Sequence, residues 1–317
     1  MKKIKISSLL LLLTKFAFSQ QDPQFSMAIQ NRMSINPGYA GSSGLLCGNL
    51  LARQQWTGFE GRPQTLAFSA DMPVMKETSH PGGVGLTIIA DKAGLQKSTY
   101  AKAAYAHRIV LSNGGYLGIG AELGLLSIGY GTGFNAENSN DAKIPTNAIS
   151  SSTLDLGFGL HYNVPNKLHF GVSISHLTAS KLKDFNYTVA RHLYVTGGYD
   201  FALPNNPSLV IKPSLLFKKS FSASKAQLDV SVIALMNNAF WGGLSYRVFG
   251  SDAIIPMIGY QASMMQGKGT FKAGYSYDVT LSKLKGYSSG SHEILLGFCY
   301  DITPPVKVTK YRNVRFL

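Results

Sequence analysis

Charge, tryptophan, cysteine and long apolar runs are all scarce in this sequence. Only 15% of its 317 residues are charged and it has two tryptophans and two cysteines. Past residue 20 no stretch approaches the ~20 consecutive apolar residues of a membrane helix. A helical membrane protein is thereby excluded, whereas one built from strands is not. No Pro/Ser-rich tract or block of like charge divides the chain, so one domain is expected from a length that would permit two. Acid is scarcer than base, with 16 Asp and Glu against 30 Lys and Arg and a formal net charge of +14.

What the chain does have begins with an export signal. Met1, Lys2, Lys3, Ile4 and Lys5 precede an apolar run through Leu9 to Leu13, and Ala17 and Ser19 supply the small residues of a cleavage site near Ser19 or Gln20. No cysteine follows the cut, so this is not a lipoprotein signal. Removing the leader takes away Lys2, Lys3, Lys5 and Lys15 and no acid, so the exported chain stays basic. The expected layout is a signal peptide over 1–19, an N-terminal segment over 20–43, a barrel over 44–302 and a basic tail over 303–317.

The bulk of the chain alternates with period two. Leu154, Leu156, Phe158, Leu160 and Tyr162 share one parity against Asp155, Gly157, Gly159, His161 and Asn163, which a strand places on opposite faces. The same split recurs at Leu117 to Leu125 and at Phe271 to Val279. About 14 such segments, each near the ~9–11 residues of a tilted membrane strand, fit between Gly44 and Ile302. Connectors after even-numbered segments are mostly tight, as at Asn205-Asn206 and Asn237-Asn238, whereas those after odd-numbered ones include Gly131 to Ser151, Thr178 to Ala190 and Ser282 to Gly290. A soluble sandwich has no reason to sort its loops by side; an outer-membrane barrel does. The connector Pro73 to Pro81 is the exception. Aromatic residues near segment ends, Trp56 and Phe59, Tyr130 and Phe134, Tyr162, Tyr199 and Phe201, Phe240 and Trp241, Phe298 and Tyr300, read as two interfacial girdles. The fold class is therefore an all-β transmembrane antiparallel barrel of about 14 strands, in the outer membrane of a Gram-negative cell after signal removal.

Gln21 to Ser42, QDPQFSMAIQNRMSINPGYAGS, is too polar to span a membrane. Asp22-Pro23 is a helix N-cap and first-turn signal, and Phe25, Ile29 and Met33 form an apolar stripe, so a short helix docked on or in the barrel is expected. Asn36, Pro37 and Gly38 stop it. With this stretch go Arg53-Gln54-Gln55-Trp56-Thr57-Gly58, Gly61-Arg62-Pro63-Gln64-Thr65, Tyr105-Ala106-His107-Arg108, Arg191-His192-Leu193-Tyr194, Lys212-Pro213-Ser214, Ser245-Tyr246-Arg247, Tyr275-Ser276-Tyr277-Asp278 and Gly290-Ser291-His292-Glu293. In this order the islands resemble the PorP/SprF family of outer-membrane proteins associated with the type IX secretion system of Bacteroidota. The resemblance implies a non-enzymatic barrel of the secretion and gliding machinery that binds or retains a secreted surface protein, such as an adhesin with a type B C-terminal domain. Its implied partners are that cargo, other secretion components, outer-membrane lipid and lipopolysaccharide, and not nucleic acid. Asn36, Pro37, Tyr39, Arg53, Trp56, Arg191, His192, Tyr194, His292 and Glu293 are the candidate partner-binding residues.

Little points to chemistry. Ser291, His292 and Glu293 alternate faces in a strand and cannot form a local triad. His80, His107, His161, His169, His176, His192 and His292 show no metal-ligand spacing, and the glycines of Gly114 to Gly133 follow a strand pleat rather than a phosphate loop. His176, on the apolar parity near a predicted outer rim, is where a lipase could keep a base. No catalytic, cofactor-binding or metal residue is expected. The basic excess has two readings: Lys97, Lys102, Lys143, Lys181, Lys183, Lys283 and Lys285 near outer loops meet lipopolysaccharide phosphates, or a basic lumen or rim receives an acidic partner. The tail, with Lys307, Lys310, Arg312 and Arg315 and no acid, leaves on the periplasmic side toward a secretion component or a lipid headgroup, or is merely frayed.

Two other functions compete. A fatty-acid-channel-like transporter of small hydrophobic compounds also places an N-terminal segment in a 14-strand barrel, but needs an apolar lumen, and the inward parities here carry Arg53, Glu122, Asp155, Lys272, Asp278 and Glu293. A structural anchor for periplasmic motor components is the other. Closing a barrel makes the first and last strands neighbours, with Cys47 on one and Cys299 on the other, both facing the lumen at similar heights. A disulfide between them turns on the register, which parity leaves open.

Overall fold

The structure is a computed structural model that describes residues 22–76, 79–132, 147–182, 187–222, 226–249 and 252–303. The expected leader over 1–19, the tail beyond 303, Phe134, Lys143 and Lys183 lie outside these residues. Fourteen strands alternate along the chain: β1 (Leu46–Gln54), β2 (Gln64–Lys76), β3 (Ser79–Ala93), β4 (Gln96–Val110), β5 (Tyr116–Tyr130), β6 (Ile149–Val164) and β7 (Leu168–Ser175). They continue as β8 (His192–Tyr199, resumed after Asp200 as Phe201–Leu203), β9 (Asn206–Ser220), β10 (Ala226–Met236), β11 (Phe240–Val248), β12 (Ala253–Met264), β13 (Gly269–Thr280) and β14 (Ser291–Tyr300). Each pairs antiparallel with its neighbours, and β1 pairs with β14, so the sheet closes. A two-residue ladder, Lys181–Leu182 with Tyr187–Thr188, stands apart between β7 and β8.

Parity explains the strands and their orientation. Leu123, Leu125, Leu154, Leu156, Phe158, Val230, Leu244 and Ile258 lie on the outer face and are exposed. Their sequence neighbours Glu122, Asp155, Asp229 and Ser245 are buried in the lumen. Water would make that outer band costly; lipid buries it. The sorted connectors place the outer end of the barrel at the β5–β6, β7–β8 and β13–β14 loops. Surface labels within Tyr287 to Gly290 are expected to react on intact cells, and labels at Asn205-Asn206 or Gly267 only after the outer membrane is opened. The reverse pattern would invert the barrel.

Three expectations are corrected. The long Pro73–Pro81 connector does not exist: β2 runs to Lys76, β3 starts at Ser79, and Pro73 stands opposite Gly83 within the ladder. The N-terminal segment is not one α-helix but three 3-10 turns, Ala28–Gln30, Arg32–Ser34 and Pro37–Tyr39. Short i→i−3 bonds within the turns, such as Gln30 to Met27 and Ala40 to Pro37, satisfy much of its backbone, and wall carboxylates take the Ser26, Met27 and Gly41 amides. Trp241 is not part of a girdle; it is 4% exposed and points inward, over Gly259 and Gly274 and under the Lys272 ammonium. Phe240 with Tyr260, and Tyr199 with Phe201, pair at the short-turn end.

Cys47 stands directly opposite Cys299 in the β1–β14 register, and a disulfide joins them. The bond spans 252 residues and locks the seam that closes the barrel. Denatured, unreduced protein is expected to show no free thiol. The paired Cys47→Ser, Cys299→Ser variant is expected to lose about 2–4 kcal/mol of stability to urea in vesicles, which a folded-band gel assay measures.

Candidate functional site

The lumen is filled by the chain's own residues 22–43. This segment enters beside the periplasmic end of β1 and climbs, so that Asp22 sits at the level of the outer ends of β6, β7 and β8. Three groups of wall residues hold it.

Nearest the entry, a glycine track receives INPGYAG. The faces of Gly118 and Gly120 on β5, Gly159 on β6 and Gly83 on β3 lie against Pro37, Gly38, Asn36 and Ala40. A Cβ on any of them would fall inside the backbone or side-chain atoms of the segment, so absent side chains make the seat. Asn36 fixes the approach: its Oδ1 accepts from the Gly38 amide at 2.8 Å and its Nδ2 donates to the Leu160 carbonyl at 2.9 Å. The Gly41 amide donates to Asp71 at 2.9 Å, and the Tyr116 hydroxyl donates to the Ser42 carbonyl.

Midway, a buried ion network grips Phe25 to Met27. Glu293 accepts from the Ser26 and Met27 amides at 2.8 and 2.7 Å. Arg53, directly across the ladder, donates to Glu293 at 3.0 Å and to Asp278 at 2.8 Å. Arg247 pairs with Asp229 at 3.0 Å and Asp278 at 2.9 Å, and also donates to the Phe25 carbonyl and the Ser26 hydroxyl. Arg53, Arg247, Asp278 and Glu293 are each at most 3% exposed. Charges so desolvated persist only when paired, and each of these four has an ion-pair partner, although the Arg53 Nε is buried without an acceptor among the described residues.

At the outer end, Asp22 is clasped. One carboxylate oxygen meets His176 Nε2 at 2.7 Å and the other accepts from the Tyr194 hydroxyl at 2.7 Å, with His192 Nδ1 at 3.4 Å. Asp155 approaches His176 Nδ1 at 2.8 Å, and Lys102 bridges Glu122 at 2.9 Å. Lys218 donates to the Asp22 carbonyl at 3.1 Å. His176 has φ +57°, which ends β7 and turns the imidazole inward, off the apolar parity expected for it. Asp22, His176 and His192 each offer one ligand atom within 4.8 Å of the others, the one such triad among the described residues. Both Asp22 oxygens already have protein partners, so the arrangement works as an ion-pair clasp.

A sequence profile of the type IX secretion system membrane protein PorP/SprF matches residues 17–298. The chain belongs to the PorP/SprF family. No curated protein matches the sequence. Among solved structures, the CymD monoaromatic hydrocarbon channel superposes with a TM-score of 0.51 at 9% identity, covering 87% of this chain and 93% of that one. The Ralstonia pickettii toluene transporter TbuX gives 0.50 at 11% identity, over 84% and 92%. At such identities the likeness establishes the fold alone, that of an outer-membrane barrel; it is family and fold together that place this PorP/SprF protein in the outer membrane.

The candidate residues divide sharply in this PorP/SprF barrel. Asn36, Pro37, Arg53, His192, Tyr194 and Glu293 are buried and engaged with the segment or its clasp, and half-buried Tyr39 packs between Arg32 and His161. Trp56, with φ +54°, lines a small cleft among the outer loops with Phe59, Leu284 and Tyr287. Arg191 is exposed at the same end and donates to the Leu177 carbonyl. His292 faces outward against Tyr275, on the opposite face from Glu293. Asp22 was expected as a helix cap and Lys102 near an outer loop, whereas Lys102 is buried in the lumen against Glu122; Lys218, Asp229 and Arg247 were not among the candidates, although Arg247 lay in one of the islands. For the four strand residues the signal was available as charge on an inward parity; Asp22 lies outside the strands and has no such signal.

The clasp sets a pH dependence. Burial pulls the His176 pKa down, but the flanking Asp22 and Asp155 carboxylates outweigh it and lift it to about 9. Burial raises Asp22, but the surrounding cationic and imidazole groups hold it well below the usual carboxylate range. A raised histidine stabilises fully below its ordinary ~6.5 and is lost as pH climbs through 9; a lowered aspartate stabilises above ~3.8 and is lost on acidification through its folded pKa. Cleavage of the N-terminal segment by added protease is expected to be slowest between about pH 4 and 6.5. It should accelerate toward pH 9, as His176 loses its proton and with it the pairing to Asp22. In a His176→Gln variant that alkaline rise is expected to disappear.

Proposed function

We propose that this barrel is a non-enzymatic holder of the type IX machinery, retaining a secreted surface protein such as a type B adhesin at the outer face while its own lumen stays closed. The observation that carries this reading is the filled lumen. The cavities left beside the segment are about 40 Å³ at its outer end, where Asp22, Lys102, Glu122, His176 and Lys218 stand among Phe25, Ile89 and Leu216, and about 120 Å³ at the short-turn end. Small-molecule sites run to ~300 Å³ or more and are mostly apolar. A hydrocarbon or fatty acid would have no room beside the segment, which weighs against the transporter reading despite the shared fold. The wider cavity of about 690 Å³ lies apart from the segment, among the outer ends of β1 to β4 and His292. A sealed barrel suits a protein whose work is done on its rims. Trp56, Phe59 and Tyr287 offer aromatic surface at the outer rim, Tyr287 being 73% exposed, which is the kind of anchor that protein interfaces favour.

Gentle purification from the native membrane tests the proposal. A large surface protein that co-purifies, and is lost on Trp56→Ala with Tyr287→Ala, supports it. A barrel recovered alone with bound fatty acid sinks it. Recovery with periplasmic components only, unaffected by the rim variants, would favour the anchor reading.

A further inference from the structure

Charge is balanced deep in the lumen but not at its periplasmic mouth. Around the segment's upper half, Arg53, Arg247, Lys102, Lys218 and His176 meet Asp22, Glu122, Asp155, Asp229, Asp278 and Glu293. At the short-turn end, a cavity of about 120 Å³ opens between Arg32 of the segment, the β6–β7 turn and β9, with Ile29 and Ile233 among its apolar walls. Arg32, Lys167 and Lys212 line it, and Lys272 lies within electrostatic reach of Arg32 and Lys212. Against these four cations the cavity has one carboxylate, Asp200, which Lys212 occupies at 2.7 Å. His169 also lines it, 7% exposed, with its Nε2 buried and without a hydrogen-bond partner.

We infer that this mouth is the docking site for an acidic peptide segment of a periplasmic or cargo partner, whose carboxylates meet Arg32, Lys167 and Lys212. Arg32 is partly buried with no carboxylate in ion-pair contact among the described residues, and such a cation favours an anion. The exposed Lys167 and the half-exposed Lys212, whose charge Asp200 only partly offsets, add to the field, and the buried His169 Nε2 lacks a partner. The chain's own C-terminus is not the occupant, because Lys307, Lys310, Arg312 and Arg315 would repel the site and no acid follows residue 303. A lipid headgroup is disfavoured because the cavity faces the lumen axis rather than the lipid belt. The inference deepens the proposed function by adding a second contact at the opposite rim, and rests on it only for the identity of the partner.

The test uses the full-length barrel in detergent and a short fluorescein-labelled poly-glutamate peptide, with poly-glutamine as the neutral control. Anisotropy is expected to show saturable binding of the acidic peptide alone, weakening as salt rises. Lys212→Gln is expected to weaken it roughly tenfold, the loss of one charge-assisted contact. Lys167→Glu, a change to an exposed side chain that leaves packing intact, is expected to weaken it at least as much. Equal binding of both peptides, or acidic binding that neither variant alters, overturns the inference. So does inorganic phosphate displacing the peptide at the peptide's own concentration, which would mark a small-anion site. A barrel that still co-purifies with a surface protein yet ignores poly-glutamate would keep the proposed function and end this one.

Discussion

Replacing Gly120 by valine is expected to drive residues 22–43 out of the lumen while leaving the barrel folded. Gly120 faces inward on β5, and a Cβ there would overlap the Pro37 carbonyl and the Gly38 amide. These are backbone atoms of a segment wedged at the same time against Gly118 and Gly159, so no rotamer change relieves the clash. Overpacking in well-filled interiors costs ~1–3 kcal/mol, and more where backbone must move. Valine is itself favoured in strands, so the cost falls on docking rather than on the ladder. Protease added to the solubilised barrel should cut the segment at least ~10-fold faster than in wild type, the rate equivalent of ~1.4 kcal/mol. Gly242→Ala, whose new Cβ would meet nothing nearer than 3.7 Å, is the control and should leave the rate unchanged. Unaltered cleavage in Gly120→Val would show that the glycine track is not the seat.

Arg247→Met is expected to destabilise the protein by about 3–5 kcal/mol, the cost of stranding buried carboxylates without their cation. Arg247 is 1% exposed and serves Asp229, Asp278 and the Phe25–Ser26 backbone together. Its loss leaves Asp278 with Arg53 but leaves Asp229 with no ion-pair partner among the described residues, next to Gln227, which donates to it at 2.9 Å. Adding Asp229→Leu to Arg247→Met removes the stranded charge and should recover more than half of the loss, a coupling that a double-mutant cycle reads directly. Urea unfolding in vesicles, followed by loss of the folded band, measures both. If the double variant is no better than the single, Arg247 acts by packing its stem rather than by charge.

Much of the barrel was legible because its rule is local. Alternation at Leu154 to Asn163 says which face meets lipid without reference to any other strand, and loop lengths say which end is outside. Arg53 and Glu293 were recognisable as inward charges of the first and last strands, and closure made them neighbours. Other features were misread where a local signal had a distant cause. Asp22-Pro23 looked like a helix cap, yet the Asp22 carboxylate is used by His176, a residue 154 positions away. His176 looked outward by parity, yet its left-handed backbone turns it in. Trp241 looked like a girdle residue because it is aromatic and terminal, yet Gly259 and Gly274 open a slot for it inside.

The sequence alone determined the class, the strand number, the faces and the pairing of first strand with last, since each follows from period two and from the need to bury an apolar band in lipid. The tertiary structure decided the register that sets Cys47 against Cys299, the entry of residues 22–43 into the lumen and the partners of every charge there. An inward position accepts any polar side chain or glycine, so parity leaves its partner open. The shear of the closed sheet and the shape of the segment that fills it choose which of them meet.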